Sequence, residues 1–371
     1  MEVSPSEINA PCTLNTQTVG ISSDGSWTIS IVDESGESVS WAEADKTSGK
    51  GDAEIHVRIY VNRYKDSRTA IMNVSTTKGA SASVRIMQEG DSESGADFSS
   101  IDVRVGSYNL RMSTLDQSDA NNKWSVRKDR AMRSIRENNF DFFGVQECDV
   151  LIQSDLKKEV GDIYTCKFFS PYSQTGDGDK AQGLLYKTSK FTLSDWHYFW
   201  PSNDPDRMST NDTGSSGNFS RGGCCGVLTH KDTGVKIFIM VTHAFLNNSS
   251  NNEWAYVYAD MEKRFNTHGY PSIFVGDMNS KPNDPPSETH RRHWKDTYME
   301  LPASEIEGPA GTYNGFDLNR NMATASRIDY IYFRGGAQPK HYVCNQTKYD
   351  GFWASDHLPI YAEMTIQSTP E

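Results

Sequence analysis

What the 371-residue chain lacks narrows the field first. No apolar run approaches the ~20 residues that a bilayer-crossing helix needs. The six cysteines (Cys12, Cys148, Cys166, Cys224, Cys225, Cys344) form no CxxC pair, which removes the spacing of a metal-thiolate site. Adjacent Cys224 and Cys225 are poorly placed to bridge each other, and the set reads as mostly buried or unbridged thiols. No GxSxG occurs, so the elbow of a serine hydrolase is missing. HExxH is missing too, although His243, His357 and an acid could together hold zinc. Positive charge is also short. Net charge is −12, with 8 Lys+Arg against 15 Asp+Glu in residues 1–97 and 29 against 34 in the remainder. Neither part has the basic excess of a module that neutralises many phosphates of a polymer.

What is present falls into two grammars. Residues 1–90 read as β throughout. SWTISIV alternates with Trp27, Ile29 and Ile31 on one face, and EIHVRIYV repeats the pattern with Ile55, Val57, Ile59 and Val61. TAIMNVS and SASVRIMQ follow, with polar turns between. Short period-2 strands at this spacing predict a small antiparallel sandwich. It contains no catalytic cluster, and Trp27 and Trp41 read as core. Residues 91–100 (DSESGADFSS) are small and polar and read as a linker. From Ile101 onward, apolar strands alternate with amphipathic stretches, an α/β arrangement. Lys123–Asn139 predicts a helix with Val126, Met132 and Ile135 along one stripe and six basic side chains elsewhere. Trp254–Gly269 predicts another, ended by glycine. Ser202–Asn218 predicts a long loop.

The polar residues of this second part stand at strand boundaries. IDVRVGSYN ends at Asn109, FDFFGVQE at Glu147 and KIFIMVTHA near His243. SIFVGDMN ends on Asp277 and Asn279. Asp329 opens YIYF, and Asp356-His357 precede LPIYAEM. With antiparallel neighbours, strand ends and strand starts share a rim, which would gather two amides, four carboxylates and two imidazoles. Carboxylates hold Mg²⁺ while the ion keeps several waters. An imidazole paired to a carboxylate handles a proton near neutral pH, and amides donate to phosphoryl oxygens without adding charge. A lone GDxN is usually a turn and a lone Asp-His usually a cap. Joint occurrence, always at strand boundaries, is what points to chemistry.

SYNLR, GVQECD, VTHAF, VGDMNSKP, SRIDYIYF and SDHLPI resemble, in order, the motifs of the endonuclease/exonuclease/phosphatase superfamily, from about residue 101 to the C-terminus. WSVRK and GTYNGFDLNRN resemble a bacterial branch of it. The resemblance implies a DNase-I-like four-layer sandwich of two packed mixed β-sheets flanked by helices, and a metal-dependent phosphoesterase. Glu147 and Asp356 would bind Mg²⁺ (or Mn²⁺), with Asn109 close by. Asp277 would orient or activate the attacking water, and Asn279 would hold a phosphoryl oxygen. His357, paired with Asp329, would act as base or charge stabiliser. His243 would contact the phosphate or help the leaving oxygen depart, and Arg221 in FSRGGCCG would contact the phosphate. Two departures stand out. Arg111 occupies a position where several relatives carry an acid, and the THxDH signature reads Thr242-His243-Ala244-Phe245-Leu246-Asn247. The first ninety residues resemble the Bacteroidetes-associated carbohydrate-binding, often N-terminal type of immunoglobulin-like module, which implies either a spacer or a glycan contact.

The implied substrate is a phosphate ester, a diester before a monoester: nucleic acid, nucleotide, phospholipid headgroup or sugar phosphate. GDMNSKP lacks the GDxNYR form of the inositol-polyphosphate phosphatases and SRIDYI lacks their WCDRI form. A non-catalytic surface or glycan-binding scaffold is the competing expectation. The resemblance further implies a monomer exported by a bacterium to the periplasm or cell surface. Since Met1-Glu2-Val3-Ser4 opens on polar sequence, a leader peptide would lie upstream.

Overall fold

A computed structural model describes every residue except 14, 37, 40, 61, 63–65, 92–99, 211, 215–216, 247 and 368–371, and the backbone alone at 212–214 and 217–219. Two compact units result, Met1–Ser99 and Ser100–Ser368. The expected linker lies almost wholly outside the described residues, as does Val61.

The first unit is an all-β sandwich. One sheet orders Glu2–Ser4, Asn15–Ser22, Ala53–Ile59 and Ala42–Ala44; the other orders Glu7–Ala10, Ser81–Gln88, Arg68–Thr76, Ser26–Val32 and Ser48–Lys50. Period-2 alternation turns Val19, Ile21, Ile55, Val57 and Ile59 of the first sheet onto Trp27, Ile29, Met72, Val74, Val84 and Ile86 of the second. Trp27 is buried and donates its indole N–H to the Gly51 carbonyl at 2.8 Å. Trp41 is half-buried, with the Arg68 guanidinium 4.4 Å over its ring.

The second unit has four layers. A seven-stranded mixed sheet orders Tyr164–Phe169, Ala181–Lys187, Phe142–Cys148, Ser100–Asn109, Ile360–Gln367, Ala337–Cys344 and Ile306–Glu307. A six-stranded mixed sheet orders Phe191–Phe199, Gly222–His230, Lys236–His243, Ser272–Asp277, Asp329–Arg334 and Lys295–Asp296. Inward side chains of both, including Val103, Val105 and Phe142 on one side and Ile239, Val241, Ile273 and Val275 on the other, make the central core. The outer face of the seven-stranded sheet packs Phe143 and Val145 against Trp124, Ile135, Ile152 and Leu156 of the helices Trp124–Asn138 and Val150–Glu159. The outer face of the six-stranded sheet packs Phe274, Tyr330 and Tyr332 against Trp254, Tyr258 and Trp294.

Four sequence expectations need correction. Val126 is 43% exposed, and the buried stripe of Trp124–Asn138 runs instead through Trp124, Arg127, Ala131, Met132 and Ile135. Arg127 was counted on the solvated basic face. It is fully buried because its guanidinium closes open main-chain acceptors, donating to Asn122, Leu110 and Arg111 carbonyls. The helix expected over Trp254–Gly269 is shorter, Val257–Phe265, and stops at Asn266; a separate helix, Asn248–Trp254, precedes it. The segment 202–218 carries a two-stranded hairpin, Asp212–Gly214 with Gly217–Phe219, and is not irregular throughout.

Candidate active site

Register places the site. Asn109 lies beside Gln146 in the parallel pair of one sheet. In the other, His243 lies beside Asp277 in a parallel pair and Asp277 beside Asp329 in an antiparallel one. Strand ends and strand starts therefore do meet on one rim. Gly276 makes the pairing possible: a Cβ there would stand 2.1 Å from the Thr242 carbonyl oxygen.

The centre of the cluster is the Asp277 carboxylate, 1% exposed. Its Oδ1 accepts the Asn279 backbone N–H at 2.9 Å. On its Oδ2 converge Asn109 Nδ2 at 3.0 Å, His243 Nε2 at 3.5 Å and His357 Nε2 at 3.7 Å. The Asn109 carboxamide also donates to Glu147 Oε1 at 3.1 Å, so one amide joins the two sheets. Glu147 Oε2 accepts the Met112 N–H at 3.1 Å. The acid and amide of GDMN divide their work: Asp277 faces inward, while the Asn279 carboxamide donates to the Ala244 carbonyl at 3.1 Å and pins the end of the neighbouring strand. Glu147, Asn279 and Arg111 all have left-handed backbones, with φ of 60°, 47° and 54°.

His357 is oriented from behind. Its Nδ1 lies 2.8 Å from Asp329 Oδ2, the same oxygen that accepts the Thr312 hydroxyl at 2.6 Å. The Thr312 hydroxyl accepts in turn from the Ile328 and Asp329 N–H groups, at 3.1 and 3.2 Å. Thr312 belongs to the GTYNG stretch noted in the sequence, but its role was not read there. A single hydroxyl inside that stretch has no spacing pattern of its own.

The two imidazoles sit in opposite fields. Burial opposes a charge on His357, but the carboxylates of Asp329 and Asp277 outweigh it and hold the ring above the usual histidine range. His243 is buried with Arg221 and His357 as neighbours and is held well below that range, hence neutral. Burial pushes the Asp277 carboxyl up to about 7, against the pull of His357.

Asp277, Asp329 and His357 can bring one ligand atom each within 4.8 Å of one another. That trio is poorly suited to a hard cation, because its imidazole is held protonated by the neighbouring acids and so offers no lone pair. Glu147, Asp356 and Asn109 offer oxygen donors, the type Mg²⁺ prefers. Asp356 is 3% exposed, yet its carboxylate is held by two loose contacts of 3.4 Å, from Ser355 Oγ and Arg111 Nη1. A buried carboxylate with spare lone pairs fits a cation partner. Arg111, whose Nε lies 2.9 Å from Asp116, was read in the sequence as a departure; here it is a tether on Asp356. Arg221 is half-buried at the entry to the strand Gly222–His230, which pairs Gly222 with His243. Of the altered THxDH stretch, Ala244 and Phe245 are buried and Leu246 is 62% exposed, while Asn247 lies outside the described residues.

The model of the Endonuclease/Exonuclease/phosphatase family matches residues 106–357, and the chain belongs to that family. Among solved structures, a family protein of Bacteroides thetaiotaomicron is similar at 24% identity and TM-score 0.65, over 73% of this chain and 100% of that one. The mannosyl-6-phosphatase of the same species is similar at 25% identity and TM-score 0.61, over 71% and 99%. The human Nocturnin catalytic domain shares the fold at 17% identity and TM-score 0.55, over 72% and 97%. No curated protein matches the chain. Family members are phosphoester hydrolases, typically dependent on a divalent metal.

Proposed function

We propose that the chain is a divalent-metal-dependent phosphoesterase, acting on a phosphodiester by attack of water in line with the leaving oxygen. The observation that carries this reading is Asp277 Oδ2, on which an amide and two imidazoles of opposite charge state converge. Glu147 and Asp356 would hold Mg²⁺ or Mn²⁺, with Asn109 beside them. When bound, the cation would neutralise charge building on a phosphoryl oxygen.

The chain's own groups account for the rest. Asp277 orients the attacking water and takes its proton, a task suited to a carboxyl lifted toward neutrality by burial. His357, locked by Asp329 and Thr312, holds positive charge next to the reacting phosphate. Neutral His243 would donate or accept at the leaving oxygen, and Arg221 would contact the phosphate. Asn109 keeps Asp277 and Glu147 at fixed separation. Export and a glycan contact by the first unit remain part of the proposal through the resemblance of residues 1–90.

A second reading, a phosphomonoesterase on sugar phosphates, draws support from the similarity to a mannosyl-6-phosphatase. Hydrolysis of bis-p-nitrophenyl phosphate beside p-nitrophenyl phosphate, with Mg²⁺, Mn²⁺ or EDTA, separates the two. Metal-dependent cleavage of the diester supports the first reading, and cleavage of the monoester alone supports the second. Silence on both, in every metal, would sink the enzyme reading and favour a binding scaffold.

A further inference from the structure

The loop that brings Thr312 to Asp329 also brings charge to the rim. Tyr313 pairs its backbone with His357, and its ring meets the imidazole edge-on with centroids 5.1 Å apart. The Arg320 guanidinium lies over that same ring, 5.3 Å from its centroid, and Nη1 donates to the Tyr313 carbonyl at 3.4 Å. These two legs hold an exposed guanidinium against the same aromatic ring that the imidazole meets. Lys348 repeats the device from the adjacent loop. Its ammonium lies 4.4 Å over the Trp353 ring and donates to the Leu318 carbonyl at 2.8 Å, while the indole N–H donates to the Asp317 carbonyl at 3.1 Å.

Neither cation has a carboxylate within ion-pair distance among the described residues. The one acid of the loop Gly311–Asn321, Asp317, turns its Oδ1 to its own backbone, accepting the Asn319 N–H at 2.9 Å. Arg111 and Arg127 differ: the first is tied to Asp116 and Asp356, the second to main-chain carbonyls. A cation seated on an aromatic face is oriented without being neutralised. In a chain of net charge −12, two such cations, each bonded to a carbonyl of the loop Gly311–Asn321, make a local pad of positive field.

We propose that Arg320 and Lys348 form a second anion subsite, which selects phosphate esters bearing a second phosphate beyond the one cleaved. The inference rests on the phosphoesterase reading above. Its chemistry is shared by the neighbouring phosphate of an oligonucleotide and by the second phosphate of a small sugar bisphosphate.

The test compares two pairs of substrates on the full chain with Mg²⁺: the dinucleotide TpT with 5′-phosphorylated pTpT, and glucose 6-phosphate with glucose 1,6-bisphosphate. In one pair the doubly charged member should show a KM lower by about tenfold, the scale of one charge-assisted contact. In Arg320→Gln/Lys348→Gln that ratio should fall below about threefold. The pair that responds identifies the source of the second phosphate. An equal KM within both pairs, or a ratio that survives the double substitution while kcat falls for both members, would overturn the subsite and leave a structural role for the loop. Calorimetric titration of the His357→Ala chain with the same four compounds reads the preference without turnover. A binding preference with no hydrolysis by the unsubstituted chain would sustain the subsite and sink the phosphoesterase reading instead.

Discussion

The two units bury polar groups for different ends. In the sandwich, Gln88 is buried and its carboxamide donates to the Pro11 and Tyr60 carbonyls at 3.0 and 2.8 Å, tying strand ends together. No ionisable side chain is buried among that unit's described residues. In the second unit, Asp277, Asp329, Asp356, His243 and His357 are all buried at one rim, and they satisfy one another incompletely: Asp329 Oδ1 has no partner among the described residues. Closed polar networks hold a fold together; open ones carry a desolvation cost that catalysis can use.

The sharpest way to break the comparison is His357→Ala. It should lower kcat by about 10²–10⁴-fold, the range of a positioned proton-handling group, and leave the far-UV circular dichroism unchanged. A loss smaller than tenfold would remove His357 from the chemistry. In the opposite sense, Trp27→Ala should cost the sandwich about 3–5 kcal/mol by emptying its core. Scanning calorimetry should show an earlier transition for that unit, while kcat stays at its original value. A parallel fall in kcat would mean that the two units unfold as one.

A smaller effect separates burial from function inside the second unit. His290 is 1% exposed, caged by Tyr258, Phe274, Trp294 and Tyr332, and neither ring nitrogen has a partner among the described residues. Burial, with His293 and Arg291 nearby, pushes its pKa down to about 3. The unfolded chain binds that proton near 6.5 and the folded chain refuses it. The contribution is therefore complete above 6.5 and is lost as pH falls toward 3, by up to ~1.4 kcal/mol per pH unit. His290→Phe should flatten this acid limb in urea titrations at pH 4 to 7, and an unchanged slope would assign the acid sensitivity elsewhere.

The sequence showed the architecture through period. Strand alternation and the boundary positions of Asn109, Glu147, His243, Asp277, Asp329 and His357 could be read because a strand end is marked by the change from apolar to polar. Val126 and Arg127 misled because a helix stripe is read from hydropathy, and a guanidinium that serves main-chain carbonyls looks like surface. The break near Ala255 carried no glycine or proline to signal it. Thr312, Tyr313 and Arg320 reach the site through tertiary contacts with Asp329 and His357, which local pattern cannot encode.

The left-handed backbone at Glu147 sets two kinds of selection against each other. A glutamate held at φ 60° carries strain on the order of 1 kcal/mol that a glycine would not. A lineage selected for heat tolerance alone would drift toward glycine at 147 and grow sturdier as it lost a carboxylate from the rim.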